Sequence, residues 1–125
     1  MIKDKKSILI VDDDPAVLTI MKDELTSEGF EVDTAKDGRA GLQKTLQGNP
    51  DLVILDLMMP FMDGLEVLRE IRADERCKDT AVMLLTQVGD KDKIAKAVEL
   101  GVAGYLIKAD YSTPEIIAKV KDLLG

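Results

Sequence analysis

Residues 52–64 read LVILDLMMPFMDG, and this stretch decides the fold. Its first four residues are apolar and two of them are β-branched, which predicts a strand buried on both faces of a sheet. The run ends in the carboxylate of Asp56. Pro60 and the Asp63-Gly64 pair then indicate a loop before the next helix. We therefore expect Asp56 at the carboxyl end of a central strand, the edge at which open α/β sheets bind ligands.

Strand and helix patterns alternate along the whole chain. Further apolar runs predict strands at residues 7–11, 31–35, 81–85 and 105–107. Helical spacing of apolar residues, with capping residues before it and glycine after it, predicts five helices, one following each strand. This alternation with short connections predicts a doubly wound α/β fold, with one parallel sheet covered by helices on both faces. We expect residues 1–125 to form a single domain without an output domain.

Composition excludes several classes of protein. No apolar run approaches the ~20 residues of a transmembrane helix, so we expect no membrane insertion. A formal net charge of −7 argues against direct nucleic-acid binding and is compatible with a bound cation. The single cysteine, Cys77, favours a cytoplasmic location, and its charged neighbours predict a surface thiol. Because the chain has no histidine, it lacks the usual general base and the usual zinc ligand.

Five polar residues follow the predicted strands at one edge of the sheet. They are Asp12, Asp13, Asp56, Thr86 and Lys108. Carboxylates that lie close together repel one another unless a cation sits among them, and oxygen ligands without histidine or cysteine favour Mg²⁺ or a similar ion. A cation, an ammonium and a hydroxyl around one carboxylate suit a phosphoryl group, with Asp56 as the nucleophile.

Four motifs resemble those of one family. VDDDP at 11–15, DLMMPFMDG at 56–64, LT at 85–86 and YLIK at 105–108 occur in the order seen in the receiver domains of two-component response regulators. The resemblance covers essentially the whole chain. It implies the flavodoxin-like fold, a single five-stranded parallel sheet of order 2-1-3-4-5.

The resemblance also implies roles for individual residues. Asp56 would be the phosphoacceptor for a sensor histidine kinase or a histidine phosphotransfer protein. Asp13, Asp56 and the backbone carbonyl of Met58 would bind Mg²⁺ (or Mn²⁺) directly, with Asp12 assisting through water. Thr86 and Lys108 would contact the phosphoryl oxygens.

Transmission of the signal follows from the same resemblance. Tyr105 would be an aromatic switch that turns inward when Thr86 is drawn to the phosphate, and this change would alter binding of a downstream protein effector. Residues 102–104 lack the acidic side chains that transcription-factor receivers often use in dimer salt bridges. This difference weakens, without excluding, a phosphorylation-dependent homodimer.

Two features are particular to this chain. Ala109 follows Lys108 where the family usually has proline, which leaves either a cis peptide costing about 2.5–4 kcal/mol or a trans loop that moves Lys108 slightly. Met58 and Val88, both apolar, flank the expected path of a hydrolytic water, and Gln87 adds bulk. We therefore expect slow autodephosphorylation, with a phosphoaspartate that lasts well beyond minutes.

Simpler interpretations and rival functions exist. Taken singly, Asp12 to Asp14 could form a solvated acidic turn, and Lys91, Lys93 and Lys96 a solvated helix face. A magnesium-dependent phosphatase of the aspartyl-phosphate type would also have a nucleophilic aspartate at a strand end. Such enzymes usually place a second aspartate two residues later, where this chain has Met58. A nucleotide or flavin binder is disfavoured because neither glycine-rich phosphate-binding motif is present.

Overall fold

Five parallel strands form one sheet with helices on both faces. The computed structural model describes residues 5–87 and 90–125. The strands are β1 (Ser7–Val11), β2 (Glu31–Ala35), β3 (Leu52–Leu55), β4 (Ala81–Thr86) and β5 (Gly104–Ile107). The helices are α1 (Pro15–Ser27), α2 (Gly38–Gly48), α3 (Gly64–Ala73), α4 (Lys91–Glu99) and α5 (Thr113–Leu124). The order is β2-β1-β3-β4-β5, which confirms the predicted fold and places β3 at the centre.

The three inner strands divide their side chains between two cores. In β3, Val53 and Leu55 belong to the apolar cluster that includes α3 residues, whereas Leu52 and Ile54 belong to the cluster that includes α1 and α5 residues. The residues of β1 and β4 alternate in the same way. All four β3 side chains are at most 1% exposed, as expected for a strand covered on both faces. This burial fixes the register, and with it the residue at which each strand ends.

The helix starts are capped as the sequence predicts. Asp14, Asp63 and Ser112 each accept a hydrogen bond from a backbone N–H in the first turn of α1, α3 and α5. Asp63 and Ser112 form full capping boxes with the glutamates three residues on. Each cap contributes about 1 kcal/mol. These caps stabilise the turns that join strands to helices at the carboxyl edge of the sheet.

The prediction of a surface thiol at Cys77 is wrong. The side chain is 3% exposed and packs in the cluster with Ile71, and its Sγ donates to the Ile71 carbonyl oxygen at 3.4 Å. The connection between α3 and β4 is a series of turns, so the charged neighbours face solvent while Cys77 points inward. Separately, within residues 5–87 and 90–125, no helix combines the length and apolar character that crossing a bilayer requires.

Candidate functional site

The polar residues at the carboxyl edge are positioned by the strands that precede them. The N–H of Asp12 donates to the Ala35 carbonyl oxygen at 3.1 Å, and the N–H of Asp56 donates to the Val11 carbonyl oxygen at 3.0 Å. Each bond extends the strand pairing by one residue beyond the end of the strand. The two carboxylates therefore project from neighbouring strands at the same edge.

Three carboxylates meet there. One oxygen from each of Asp12, Asp13 and Asp56 lies within 4.8 Å of the others. Asp12 and Asp56 are 2% and 5% exposed, whereas Asp13 is exposed. Oxygen donors with two buried charges and one open to solvent suit a hard divalent cation that keeps some of its water. The donor set thus fits Mg²⁺ or Mn²⁺.

Lys108 supplies one positive charge to this cluster. Its Nζ lies 2.6 Å from Asp12 Oδ2 and 3.6 Å from Asp56 Oδ2. Burial of the ammonium opposes its charge, but the hydrogen bond to Asp12 and the charges of both carboxylates outweigh burial and raise the pKa of Lys108. Lys108 therefore stays protonated at neutral pH, and its shorter contact is to Asp12 rather than to Asp56.

Asp56 is the carboxylate whose charge is least well compensated. Burial and the neighbouring charge of Asp12 raise its pKa above the ordinary value, and the ammonium of Lys108 only partly offsets them. Two hydrogen bonds act in the opposite direction, one from the Met58 N–H at 3.2 Å to Oδ1 and one involving the side chain of Thr86. Two buried carboxylates facing one ammonium leave a site that favours further positive charge.

The other predicted site residues lie in two different environments. Thr86 ends β4 and its side chain is fully buried, close enough to Asp56 for a hydrogen bond. Tyr105 on β5 pairs with Leu84 in the sheet register and is 49% exposed, so its ring lies at the surface. The structure brings together Asp12, Asp13, Asp56, Thr86 and Lys108 and leaves Tyr105 outside that group.

Two further expectations from the sequence concern the peptide after Lys108 and the residues along the expected path of water. Of the two alternatives at the Lys108-Ala109 bond, the structure has the trans peptide, since the described residues contain no cis bond. Met58 is 47% exposed and Gln87 is exposed, whereas Val88 lies outside the described residues. The expected effect of these three residues on hydrolysis stays a prediction.

An ion pair beside the site was not expected from the sequence. Lys93 Nζ on α4 lies 2.7 Å from Oδ2 of Asp63, whose other oxygen caps α3. The expectation of a solvated face holds for Lys91 and Lys96, which are exposed, but not for Lys93. The partners are 30 residues apart in sequence, and only the packing of α4 beside α3 brings them together. This pair joins the loop that carries Asp56 to α4.

This ion pair predicts a specific pH dependence. Burial opposes ionisation of Asp63, but hydrogen bonds from Lys93 and from the Glu66 N–H outweigh it and lower the pKa of Asp63. The stabilisation is complete above the unfolded-state pKa of about 3.9 and is lost as the pH falls through the lower, folded-state pKa. We expect Asp63→Asn to lower the unfolding free energy at pH 6 by about 1 kcal/mol, with the deficit shrinking towards pH 3. Urea unfolding at several pH values measures this.

Asp37→Asn is the matched control for that substitution. Asp37 caps α2 through the Ala40 N–H at 2.8 Å, and none of the ion pairs between described residues includes it. Asparagine retains capping ability at both positions, so the control should change stability little. An Asp63→Asn deficit that is equal at pH 3 and pH 6 would contradict the electrostatic explanation.

Comparison with known proteins gives consistent matches. The family model described as the response regulator receiver domain matches residues 8–121. The DNA-binding dual master transcriptional regulator RpaA of Synechocystis is 41% identical over 118 residues, which cover 94% of this chain and 48% of the relative. The transcriptional regulatory protein ResD of Bacillus subtilis is 37% identical over 117 residues, covering 94% and 47%. The chain therefore spans about half the length of the curated relatives it matches.

Solved structures match over nearly their whole length. The chemotaxis protein CheY4 of Vibrio cholerae superposes with a TM-score of 0.87 at 28% identity, covering 96% of this chain and 99% of that one. A CheY-like receiver domain protein from Methanospirillum hungatei gives a TM-score of 0.90 at 28% identity, covering 97% and 94%.

Proposed function

Because this chain belongs to the response regulator receiver domain family of two-component signalling, we propose that it accepts a phosphoryl group on Asp56. The family is a signalling family, so membership implies a kinase partner and a downstream effector. One observation carries the assignment of Asp56. Its carboxylate ends the central strand, 3.6 Å from an ammonium, within 4.8 Å of two other carboxylates and beside a buried hydroxyl.

The donor is a phosphohistidine on a sensor kinase or a histidine phosphotransfer protein. One carboxylate oxygen of Asp56 attacks phosphorus and forms the new O–P bond. The N–P bond of the donor breaks, and its electron pair stays on the imidazole nitrogen. The products are an aspartyl phosphate and a free histidine. Because the chain itself supplies the nucleophile, a small phosphodonor should also be able to modify Asp56 without a protein donor.

Two side chains of this chain, and a cation that its carboxylates would hold, act on the transferred group. Lys108, 3.6 Å from Asp56, exchanges part of its contact with Asp12 for the phosphoryl oxygens. Thr86 donates its hydroxyl to the same oxygens. A Mg²⁺ or Mn²⁺ ion held by Asp13, Asp56 and the Met58 carbonyl, with Asp12 assisting, would supply positive charge beside the developing negative charge.

Phosphorylation changes the surface that the protein presents to its effector. Thr86 is drawn towards the phosphoryl group, and Tyr105, half exposed in this structure, turns inward. The face around β5 then presents a different surface to a protein effector. We expect slow hydrolysis of the aspartyl phosphate, because the sequence has apolar residues, Met58 and Val88, along the expected path of water and bulky Gln87 beside them. A phosphatase is disfavoured because Met58 cannot transfer a proton as the second aspartate of such an enzyme does.

Intact-mass measurement tests the proposal. We expect the wild-type protein to gain one phosphoryl group after incubation with acetyl phosphate and Mg²⁺. Asp56→Asn, or wild type in excess chelator, should gain none. A gain that persists in Asp56→Asn, or wild type that stays unmodified beside a working reference receiver, would overturn the assignment. Light scattering on the phosphorylated sample shows whether two copies associate.

A further inference from the structure

Phe61 is the most exposed large apolar side chain among the described residues. It lies in the loop between β3 and α3 and is fully exposed, at 101% of the reference area. Its φ of +69° is in the left-handed region that favours glycine. The other described non-glycine residue with positive φ is Asn49, a type that tolerates this region. Folding therefore gains nothing from an aromatic residue at position 61, and glycine or asparagine would suit the backbone better.

The loop holds Phe61 in a defined place. The Met62 N–H donates to the Pro60 carbonyl oxygen at 2.8 Å, which closes a tight turn around Phe61. The start of α2 packs against the same loop, since a Cβ built on Gly38 would lie 2.3 Å from the Met62 carbonyl oxygen. Because the turn fixes the backbone that carries the ring, a partner that binds Phe61 orders its side chain but does not have to order the loop.

The surroundings of Phe61 indicate the chemistry of a partner. Met58, on the same loop and two residues after Asp56, is 47% exposed and is a second accessible apolar side chain of this loop. Phe61 and Arg39 line a shallow cavity of about 260 Å³. Across the same edge of the sheet, Asp13 and Asp14 are exposed. The loop presents apolar side chains, and Asp14 presents a negative charge outside the proposed metal ligands, so a complementary partner surface is apolar with a basic residue opposite Asp14.

We propose that Phe61 is a docking residue for the protein that donates the phosphoryl group, a phosphohistidine-bearing domain whose contact face is apolar with a basic margin. This inference rests on the function proposed above. Asp56 is 5% exposed at the floor of the edge, so a donor protein must cover the loops around it to deliver its phosphoryl group. Phe61 is five residues from Asp56 on one of those loops. A small phosphodonor needs no such contact.

The test compares two kinds of donor on the full chain. Phe61→Gly removes the ring and suits the positive φ, so it should fold at least as well as wild type. We expect its rate of modification by acetyl phosphate to remain within twofold of wild type. Its second-order rate of transfer from an autophosphorylated sensor kinase should fall at least tenfold. All sensor kinases encoded in the source genome are first screened with the wild-type chain, and the kinase that transfers a phosphoryl group to it is used for the comparison.

Two controls make the result specific. Phe61→Trp retains an aromatic ring and should transfer within threefold of wild type. Val98→Ala truncates another exposed apolar side chain, 52% exposed in the second half of α4, and should leave transfer unchanged.

Several outcomes would overturn the docking role. The first is an equal rate of transfer from the kinase to Phe61→Gly and to wild type. The second is loss of modification by acetyl phosphate in Phe61→Gly. The third is a wild type that acetyl phosphate modifies but that no kinase modifies. If Phe61→Gly changes only the self-association measured by light scattering, the protein that binds at Phe61 is a second copy of this chain. A wild type that neither donor modifies would instead overturn the proposed function.

Discussion

Gly64→Ala is expected to destabilise the protein by about 2–3 kcal/mol and to reduce phosphorylation of Asp56. A Cβ built on Gly64 would lie 2.2 Å from the Asp56 carbonyl oxygen and 2.8 Å from Leu57 Cα. Both are backbone atoms that no rotamer change can move, so the start of α3 must shift away from β3. The Gly64 N–H also donates to the Leu57 carbonyl oxygen at 3.0 Å, a bond that this shift would stretch.

The displacement should appear in two measurements. Urea unfolding should show the lost stability, which corresponds to a fall in melting temperature of roughly 10 °C. Modification by acetyl phosphate should slow severalfold, because the loop that follows Asp56 is joined to the displaced start of α3 through the hydrogen bond between Gly64 and Leu57.

Gly48→Ala is the matched control for Gly64→Ala. Gly48 is the last residue of α2, and a Cβ there meets nothing within 4 Å. Alanine should be neutral or should stabilise the protein by up to about 1 kcal/mol, since it restricts the unfolded chain and favours helix. Equal effects of the two substitutions would show that the close approach at Gly64 is not important.

The sequence carries most of the information that positions the site. Apolar runs that end in Val11 and Leu55 define where two strands stop, and an acidic residue follows each. Parallel strands that alternate with helices must bring those ends to one edge. Convergence of Asp12, Asp56, Thr86 and Lys108 therefore follows from local patterns and the handedness of the connections, without any knowledge of side-chain contacts.

What the sequence could not predict depends on side-chain packing between distant elements. Lys108 makes its shorter contact with Asp12, 96 residues away, rather than with Asp56. Cys77 is buried because a chain of turns places it under α3, although its neighbours are charged. The spacing of apolar residues does not predict such contacts, because turns have no regular repeat of apolar positions. The positive φ of Phe61 is also hidden, since no pattern in the sequence marks an aromatic residue in a glycine-favouring conformation.

Arg72 links the end of α3 to the segments before β4 and after α4. On the last turn of α3, its Nε donates to the Leu100 carbonyl oxygen at 2.7 Å, and Nη2 donates to that of Gly101 at 3.1 Å, both just after α4. Its Nη1 donates to the Thr80 carbonyl oxygen at 2.8 Å and to that of Lys78 at 3.0 Å, before β4. One guanidinium thus satisfies four backbone acceptors at the edge of the sheet opposite the site.

We expect Arg72→Ala to lower the free energy of unfolding by about 2–4 kcal/mol, because partly buried carbonyl groups lose a charged donor that water replaces incompletely. Arg72→Lys should recover only part of this loss, since an ammonium cannot reach four acceptors in two directions. Arg76→Ala is the control. Arg76 pairs with Asp74 at 2.9 Å with its side chain 66% exposed, so its removal should leave the free energy of unfolding nearly unchanged. Urea unfolding of the four proteins measures these differences.

Since Arg72 lies far from Asp56, folded Arg72→Ala should still accept a phosphoryl group from acetyl phosphate at the wild-type rate. Equal stability of Arg72→Ala and Arg76→Ala would show that the packing of α3 and α4 against β4 is sufficient without this network.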